Sequence, residues 1–480
     1  MTNLRAPFPA TMLLAALLLV GCATPLARPD APVTLPANWD EATSRTDDAA
    51  RIEADWWAGF RSAELQQLIA IALAGSPDLA IATERVIQAE IAARSAGATL
   101  FPTVDLDLAT GARATEGGNA SGTTRSSSAA LGIRYEIDVW GSNLQRLRGA
   151  RAQLAASRHD YEATRLSLLA GVVNAYARVV AQRARVQIAS ENLAIAERLF
   201  TLVEARYRHG AASALDVSRQ RTTVLAQRAA IVPVQAQERE ALRALAILVG
   251  RIPQQFDVGG RSLAGIEIPE VDAPLPGELL ARRPDLAAAE ARLLAADANI
   301  AVARAALFPL RLSLGLTATA AGNELGLVGL GSPVSTAAIT VSLLQTVFDG
   351  GRLQGQVETT ESQRRQLLET YRTALLGALK EVEDALSAVE RSRIEERAQV
   401  EIRSETERAL RLSELRYREG SDRLDALLDA QRSLFSAQDQ LIQQRLARIN
   451  ASVDLYKALG GGWTSTSGYA RTGLEPVPSD

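Results

Sequence analysis

The sequence predicts a mixed α and β protein, built twice in one chain, in which long coiled-coil helices continue from a few amphipathic strands. Three observations lead to this fold class. Short motifs return about 210 residues later in the same order, four segments alternate apolar and polar residues, and two stretches of more than 60 residues contain no proline. Aromatic residues make up only 4% of the chain, which suits helices that pack through alanine and leucine.

The internal repeat is carried by motifs at a nearly constant offset. "RYRHG" at 206–210 returns as "RYREG" at 416–420, and motifs at this spacing and in one order indicate a duplication. We therefore predict a first structural repeat over 61–250 and a second over 281–460. The other matching pairs are Pro77-Asp78-Leu79 with Pro284-Asp285-Leu286, Phe101-Pro102 with Phe308-Pro309, and the Gly-containing turn 138–141 with 347–350.

The N-terminus has the pattern of a secretory signal. Arg5 precedes a ten-residue apolar run that is too short to span a bilayer, so residues 1–21 are predicted to be a signal peptide. The residues before Cys22 resemble the bacterial lipobox, in which the cysteine is lipidated. The residue after it, Ala23, resembles the one that outer-membrane lipoproteins carry at this position. The alternative is an ordinary buried cysteine. Residues 22–60 are predicted to form a lipid-anchored extended tether.

Four segments have the period of two that places all apolar side chains on one face of a strand. The predicted strands cover 103–116 and 127–139 in the first repeat, and 309–320 and 335–347 in the second. A sheet half-buried on a soluble core gives the same alternation. However, strands of about ten residues match the length of tilted membrane strands. The other predicted elements that could pack on the sheet are long helices.

Two very long helices are predicted, from a cap at Ser142 to Tyr207 and from Arg352 to Arg418. At ~1.5 Å per residue each would run about 100 Å. Shorter helices precede and follow each of them, so we expect two short helices to lie end to end beside one long helix. Apolar residues seven apart predict coiled pairing; they are Leu368, Leu375, Val382 and Val389, and Leu428, Phe435, Ile442, Ile449 and Tyr456.

Four membrane strands in one chain cannot close a barrel, because an open edge in lipid leaves backbone groups unpaired at several kcal/mol each. Small closed barrels have at least about eight strands. The sequence therefore predicts an oligomer, and either two or three copies would satisfy this requirement.

The composition argues against several classes of protein. A net charge of −3 offers no basic excess for nucleic acid, and no Walker-type phosphate loop is present. His159 and His209 are predicted to be surface residues, and Cys22 is the only cysteine, so neither an enzyme nor any cofactor or metal site is predicted. An enzyme built on a carboxylate pair stays open, as does a lipid-anchored coiled-coil scaffold without a pore.

The repeat order, the Phe-Pro stops, "YREGSDRLDALLDAQRSLFSAQ" (417–438) and "LYKALGGGW" (455–463) resemble the TolC-like outer-membrane efflux channels, in particular the lipoprotein branch of the OprM and NodT type. The resemblance implies a homotrimer with a 12-stranded antiparallel transmembrane β-barrel, four strands per chain, and a periplasmic helical tunnel. It also implies passive conduction of substrates delivered by an inner-membrane pump, of the proton-driven resistance-nodulation-division type, through a periplasmic adaptor. The alternative within this architecture is an exit duct for protein secretion.

The second RYR motif is followed by a polar stripe of helix, which from spacing alone faces bulk solvent or the inside of a tube. The resemblance implies a pore gate at Tyr417, Asp429 and Arg432, and this chain adds Asp425. Carboxylates gathered on a symmetry axis favour cations, and we expect pairs between Arg432 and aspartates of neighbouring subunits to hold the gate shut. The stripe consists of Asp425, Asp429, Arg432, Ser436, Asp439 and Gln443.

The turns after the two long helices are expected to contact the adaptor. Gly210 and Gly420 are placed to supply the positive φ that closes a helix. The neighbouring candidate contacts are Arg208, Ala211 and Ser213 in the first turn and Ser421 and Arg423 in the second. The segments 251–280 and 461–480, which contain proline, are predicted to form an equatorial belt around the tube.

Overall fold

The computed structural model describes residues 33–41, 53–117, 122–270, 276–308, 311–322, 334–344, 346 and 348–463. The chain divides into two compact units, each assembled from several chain segments. Residues 96–152 and 292–367 belong to a unit that contains the β-sheet, which we call the sheet unit. Residues 33–95, 153–291 and 368–480 belong to the other, which we call the helical unit.

The sheet is antiparallel, and its strands follow one another in sequence order. The register aligns apolar residues across it, because Val104 lies opposite Ile133, Ile133 opposite Leu316, and Leu316 opposite Ile339. The prediction of a small antiparallel sheet is confirmed. Its strands are β1 (Thr103–Thr115), β2 (Gly122–Ile137), β3 (Arg311–Gly322) and β4 (Val334–Leu344).

The two faces of the sheet differ in chemistry. On the apolar face Val104, Leu316 and Ile339 are exposed, and Ile133 is partly buried. On the other face Arg134 donates to Asp105 at 2.7 Å, and the hydroxyls of Ser313 and Ser342 lie 2.7 Å apart. The alternation of side chains along each strand separates the two sets.

The observed strands differ from the predicted ones at their ends. Strand β2 runs from Gly122 to Ile137 rather than from 127 to 139, and residues 122–126, which lie between the predicted strands, pair with 111–115. The register set by the apolar pairs simply continues, since threonine suits an exposed strand position. The predicted strand ends at 309, 310, 345 and 347 lie outside the described residues.

The helices of the two halves have matching lengths. The long helices have 67 residues each, the helices that return from them 35, and the helices before the strands 22. The helices are α1 (Ala63–Gly75), α2 (Pro77–Ala98), α3 (Ser142–Arg208), α4 (Ala214–Leu248), α5 (Leu279–Arg282), α6 (Pro284–Ala305), α7 (Arg352–Arg418) and α8 (Leu424–Ala458). In the described part of the chain, no single helix is long and apolar enough to cross a membrane, although α1 and α2, bent by 42°, qualify as a pair.

An aspartate, rather than the predicted Ser142, caps the N-terminus of α3. The helix begins at Ser142 itself, and the carboxylate of Asp138 accepts the amide of Leu144 at 2.9 Å. Gly141, with φ +71°, turns the chain so that this carboxylate reaches the helix N-terminus. In the second half Asp349 does the same for the amide of Leu353 at 3.0 Å.

Three buried apolar clusters lie inside the helical unit. The first gathers residues of α1, α3, α4 and α8 around Phe60, and the second packs Trp39 and Leu279 against Val382. The heptad prediction is confirmed at Leu375, Val382 and Ile449, which are fully buried. The third, which we call the tip cluster, consists of Leu199, Val203, Leu410, Tyr417, Leu424, Leu427 and Leu434.

The short helices meet end to end, as their lengths predict. After α4 the chain turns at Gly250, whose φ is +69°, and a Cβ there would lie 2.0 Å from the carbonyl oxygen of Gly75. After α8 it turns at Gly460, where a Cβ would lie 1.9 Å from the carbonyl oxygen of Arg282. Glycine is therefore required at both junctions.

Candidate gate at the hairpin tips

The two long helices end in the same backbone motif. At the first tip, residues 206–216, the amide of Ala211 donates to the carbonyl of Arg206 at 2.8 Å, and Gly210 has φ +73°. At the second tip, residues 416–425, the amide of Ser421 donates to the carbonyl of Arg416 at 3.0 Å, and Gly420 has φ +78°. This is the Schellman termination. The predicted role of both glycines in ending the helices is confirmed.

Asp425 in the first turn of α8 links this helix to α4. Its carboxylate lies 2.7 Å from a guanidinium nitrogen of Arg219 and 3.5 Å from one of Arg423. The side chains of Asp425 and Arg219 are each about half exposed, so the pair itself contributes at most about 1 kcal/mol. Its geometric effect is to fix the carboxylate next to a positive charge.

Asp429 and Arg432 pair with each other on the exposed face of α8. Their charged atoms lie 2.5 Å apart, and the side chains are 70% and 74% exposed. In the single chain, Arg432 thus has its acidic partner three residues away on its own helix. The expected pairing with a neighbouring subunit would replace or extend this contact, and it stays a prediction.

Tyr417 lies apart from the other gate candidates. It is only 4% exposed in the tip cluster, and the guanidinium carbon of Arg206 lies 4.7 Å from its ring centroid. Burial raises the pKa of the Tyr417 hydroxyl. Among the described residues this hydroxyl has no hydrogen-bond partner. The structure therefore brings Tyr417 together with Arg206, while Asp425, Asp429 and Arg432 share the exposed face.

Some of the candidate adaptor contacts also stabilise the tips. The hydroxyl of Ser213 accepts the amide of Asp216 at 3.1 Å, and the carboxylate of Asp216 accepts the amide of Ser213 at 2.9 Å. This capping box begins α4. Ser421 donates to the carbonyl of Arg416 at 3.1 Å, whereas Arg423 begins α8 without a side-chain cap. Arg208 and Ala211 are exposed.

The polar stripe of α8 is exposed at its first positions and anchored farther along. Ser436 and Gln443 are exposed. Asp439 is instead partly buried and accepts from the guanidinium of Arg185 in α3 at 2.6 Å. Asp439 is therefore the one stripe residue tied to α3, and the other five are exposed.

Comparison with known proteins identifies the family. The sequence profile of the outer membrane efflux proteins matches residues 68–251 and 275–461. A pyoverdine export outer membrane protein, OpmQ of Pseudomonas aeruginosa, is 38% identical over 95% of this chain and 97% of its own length. The toluene efflux pump outer membrane protein TtgC of Pseudomonas putida is 34% identical over 92% of each chain. The solved structure of the outer-membrane channel OprN superimposes with a TM-score of 0.81 at 28% identity, covering 92% of this chain and 99% of that one.

The chain belongs to the outer membrane efflux protein family. It is the outer-membrane channel component of a tripartite efflux system, and it works with an adaptor and an inner-membrane pump. The TolC-like resemblance stated from the sequence is confirmed.

Several residues that shape this efflux protein were not singled out from its sequence. Arg206 and Arg219 carry the contacts to Tyr417 and Asp425. Gly250 and Gly460 carried a usable signal, because they stand 210 residues apart, as Gly210 and Gly420 do, and each follows a predicted helix. Arg206 belongs to the repeated "RYRHG" motif, but the repeat does not show what its side chain contacts, and Arg219 carried no signal, since an arginine on a charged helix face looks like any other.

A buried carboxylate joins the long and returning helices of the second half. Glu396 of α7 accepts from Arg445 at 2.8 Å and from Arg448 at 2.7 Å, both on α8, and its side chain is 7% exposed. Burial alone would raise the pKa of Glu396. The hydrogen bonds from Arg448 and Arg445 outweigh that effect and lower the pKa below its ordinary value.

Residues 33–41 of the predicted extended tether are docked on α7, whereas residues 56–60 are not extended: they form a short 3₁₀ helix whose Trp56 and Phe60 are buried in the first cluster. Trp39 is buried, and the carboxylate of Glu383 accepts the amides of Asp40 and Glu41 at 2.9 and 3.2 Å. Cys22 lies outside the described residues.

The two histidines differ in their surroundings. His159, predicted to lie on the surface, is partly buried with its ring 5.5 Å from that of Trp463, a contact between distant parts of the sequence that local pattern does not show. His209 is exposed, and the described residues contain no cluster of metal-ligating side chains.

Proposed function

We propose that three copies of this chain close a 12-stranded barrel in the outer membrane, and that the second tips form its periplasmic gate. Two features of the sheet support the barrel. Its apolar face is exposed and continuous across all four strands, and within the chain β1 and β4 each pair along one edge. Lipid would cover the face, and neighbouring copies would pair the edges.

Exposed aromatic residues support a membrane boundary along the strand ends on one side of the sheet, where the chain enters and leaves it. The starts of β1 and β3 and the ends of β2 and β4 lie on this side, because the strands alternate in direction. An exposed aromatic residue stands within four positions of each: Phe101, Trp140, Phe308 and Phe348. Aromatic girdles mark the interfaces of membrane barrels.

Internal duplication is part of the proposal. It is supported by the equal helix lengths of the two halves and by the separate matches of the family profile to 68–251 and 275–461. Under this proposal the segments 251–280 and 461–480 form the equatorial belt that connects and follows the repeats, although residues 271–275 and 464–480 lie outside the described residues.

The proposed gate rests on one observation. Asp425, Asp429 and Arg432 place three exposed charges in the first turns of α8, directly after the second tip. Threefold symmetry would place three copies of each charged side chain around one axis, and rings of carboxylates favour cations. Tyr417 contributes by packing the tip cluster behind this face.

Conductance in a planar bilayer tests the gate. The purified parent should give small, discrete, cation-preferring steps. Asp429→Ala should raise the conductance and weaken the cation preference several-fold, whereas Glu401→Ala, which removes an exposed carboxylate of α7 outside the stripe, should change neither. An Asp429→Ala variant that conducts like the parent would reject the gate.

The proposed anchor is Cys22, lipidated after removal of residues 1–21. Trp39, which is docked, stands 17 positions after Cys22, a reach of at most about 60 Å for extended chain. Metabolic labelling with palmitate should mark the parent and not Cys22→Ala. Labelling of both would refute this site.

The proposed partners are a resistance-nodulation-division pump and an adaptor that contacts both tips, at Arg208, Gly210, Ala211 and Ser213 and at Gly420, Ser421 and Arg423. The substrate we propose is a siderophore of the pyoverdine type, because OpmQ matches at 38% identity against 34% for TtgC. Deletion of the gene should trap such a siderophore in the periplasm. If only tolerance to solvents falls, the substrate class is wrong.

A further inference from the structure

One side chain of the first tip holds the backbone of the second. A guanidinium nitrogen of Arg206 donates to the carbonyl of Tyr417 and, at 3.3 Å, to the carbonyl of Arg418. The other terminal nitrogen donates to the carbonyl of Ala211 in its own tip at 3.3 Å. The same guanidinium covers the ring of Tyr417 at 4.7 Å.

Two of these acceptors, the carbonyls of Tyr417 and Arg418, lie in the last turn of α7, and the Tyr417 carbonyl also accepts the amide of Gly420 at 3.1 Å. The last carbonyls of α7 have no intrahelical amide to bind, and they form the negative end of the helix dipole. A planar guanidinium with several donors can satisfy more than one of them at once, which a lysine ammonium on its single atom does less well. Arg206 therefore suits the end of a second helix chemically as well as sterically.

The internal counterpart of Arg206 does not do this. Arg416 stands 210 residues later in the same motif, yet its side chain is 63% exposed and lies 3.5 Å from Asp422 within its own tip. The repeat therefore has one bridging arginine and one surface arginine at equivalent positions.

We propose that Arg206 is a positioning residue that locks the two tips into one unit. By holding the end of α7, it fixes the turn from which α8 starts, and so the position of Asp425 and Asp429. The inference rests on the proposed gate for its functional consequence, but the lock itself is a property of the tips alone.

Distances between spin labels at the two tips test the lock. Labels at His209→Cys and Glu419→Cys, both exposed, report the separation of the tips in the purified full chain, and single-label samples account for any label at Cys22. We expect a narrow distribution in the parent and in Arg416→Ala. Arg206→Ala should at least double the width of the distribution. Arg206→Lys, which keeps the charge but not the planar guanidinium, should give an intermediate width.

Two outcomes would overturn the lock: an unchanged distribution in Arg206→Ala, or equal broadening in Arg416→Ala. Should Arg206→Ala fail to assemble, the contrast between Arg206→Lys and Arg416→Lys decides in its place.

Conductance then separates the lock from the gate. With the lock and the gate both in place, Arg206→Ala should broaden the distances and raise the open probability several-fold, as Asp429→Ala should. Broadened distances in Arg206→Ala with parental conductance in both variants retain the lock and reject the gate proposal.

Discussion

The two helical hairpins, α3–α4 and α7–α8, share a backbone and differ in chemistry. Both have helices of 67 and 35 residues, and both turn through a glycine with φ near +75°. The first tip closes with a capping box and extends Arg206 to the second. The second lacks a side-chain cap at Arg423, receives Arg206, and carries exposed charges on its returning helix. The shared glycines set the backbone frame of both hairpins. The side chains that differ are Arg206 of the first tip, which contacts the second, and the charges of the proposed gate on α8.

The frame should fail most severely at its junction glycines, equally in both hairpins. Gly250→Ala and Gly460→Ala each force a Cβ to about half of contact distance from a backbone carbonyl, at a positive φ. We expect a loss of about 4 kcal/mol or more, or failure to assemble. Thermal unfolding followed by far-UV circular dichroism measures it.

The tip glycines are the matched control. A Cβ at Gly210 meets nothing within 4 Å, and one at Gly420 comes no closer than 3.6 Å to the flexible end of Arg206. Alanine there should cost only about 1–2 kcal/mol, for the strained φ alone. Equal losses at tip and junction would show that the steric clash at the junction is not the main cause of the lost stability.

A second effect should appear in the second hairpin alone. Glu396→Gln leaves Arg445 and Arg448 without their carboxylate, at an expected cost of about 2–3 kcal/mol, whereas the position 210 residues earlier is Val186. Because the pKa of Glu396 is lowered in the folded protein, its contribution is present above the unfolded pKa of about 4.3 and is lost as pH falls through the folded value.

Thermal unfolding between pH 7 and pH 3 checks this acid dependence. The parent should lose the Glu396 contribution only below about pH 4.3, and the difference in stability between parent and Glu396→Gln should shrink there. Glu401→Gln, on the same helix but exposed, controls for the loss of a surface charge. A gap that stays constant down to pH 3 would argue against the ion cluster as its cause.

Much of this frame could be predicted from sequence, because it depends on local signals. Proline-free length, terminal glycines and period-two alternation predicted α3, α7 and the sheet to within a few residues. The partners of the charged residues could not be predicted. Whether Asp425 contacts Arg219, or Arg206 reaches the end of α7, depends on how two hairpins pack, and a sequence pattern carries no information on that distance. Tyr417 was predicted as a gate residue from resemblance, and only the packing of α7 against the first tip shows that it is buried.

A third comparison concerns the caps. Ser213→Ala removes the cap of α4 and should cost about 1 kcal/mol, while Arg423→Ser gives α8 the cap it lacks and should gain a similar amount. Amide hydrogen exchange in the first turns of α4 and α8 measures both effects. We expect a roughly fivefold faster rate at 214–217 in Ser213→Ala and a slower rate at 424–427 in Arg423→Ser. If Arg423→Ser exchanges like the parent, a missing cap is not what distinguishes the second tip.

The smallest effect on stability should be the most informative about function. Asp425→Asn and Arg219→Gln each break an exposed pair, so each should change stability by less than about 1 kcal/mol. Their effects on ion selectivity should have opposite signs. If Asp425 acts through its charge on permeating ions, its loss weakens the cation preference. Loss of Arg219 leaves the carboxylate with only the more distant Arg423 beside it, and so strengthens the cation preference. If the pair acts only by bracing α4 against α8, both variants shift selectivity in the same direction. Reversal potentials under a salt gradient decide between these two, and with them whether the second hairpin is distinguished by its charges or by its packing.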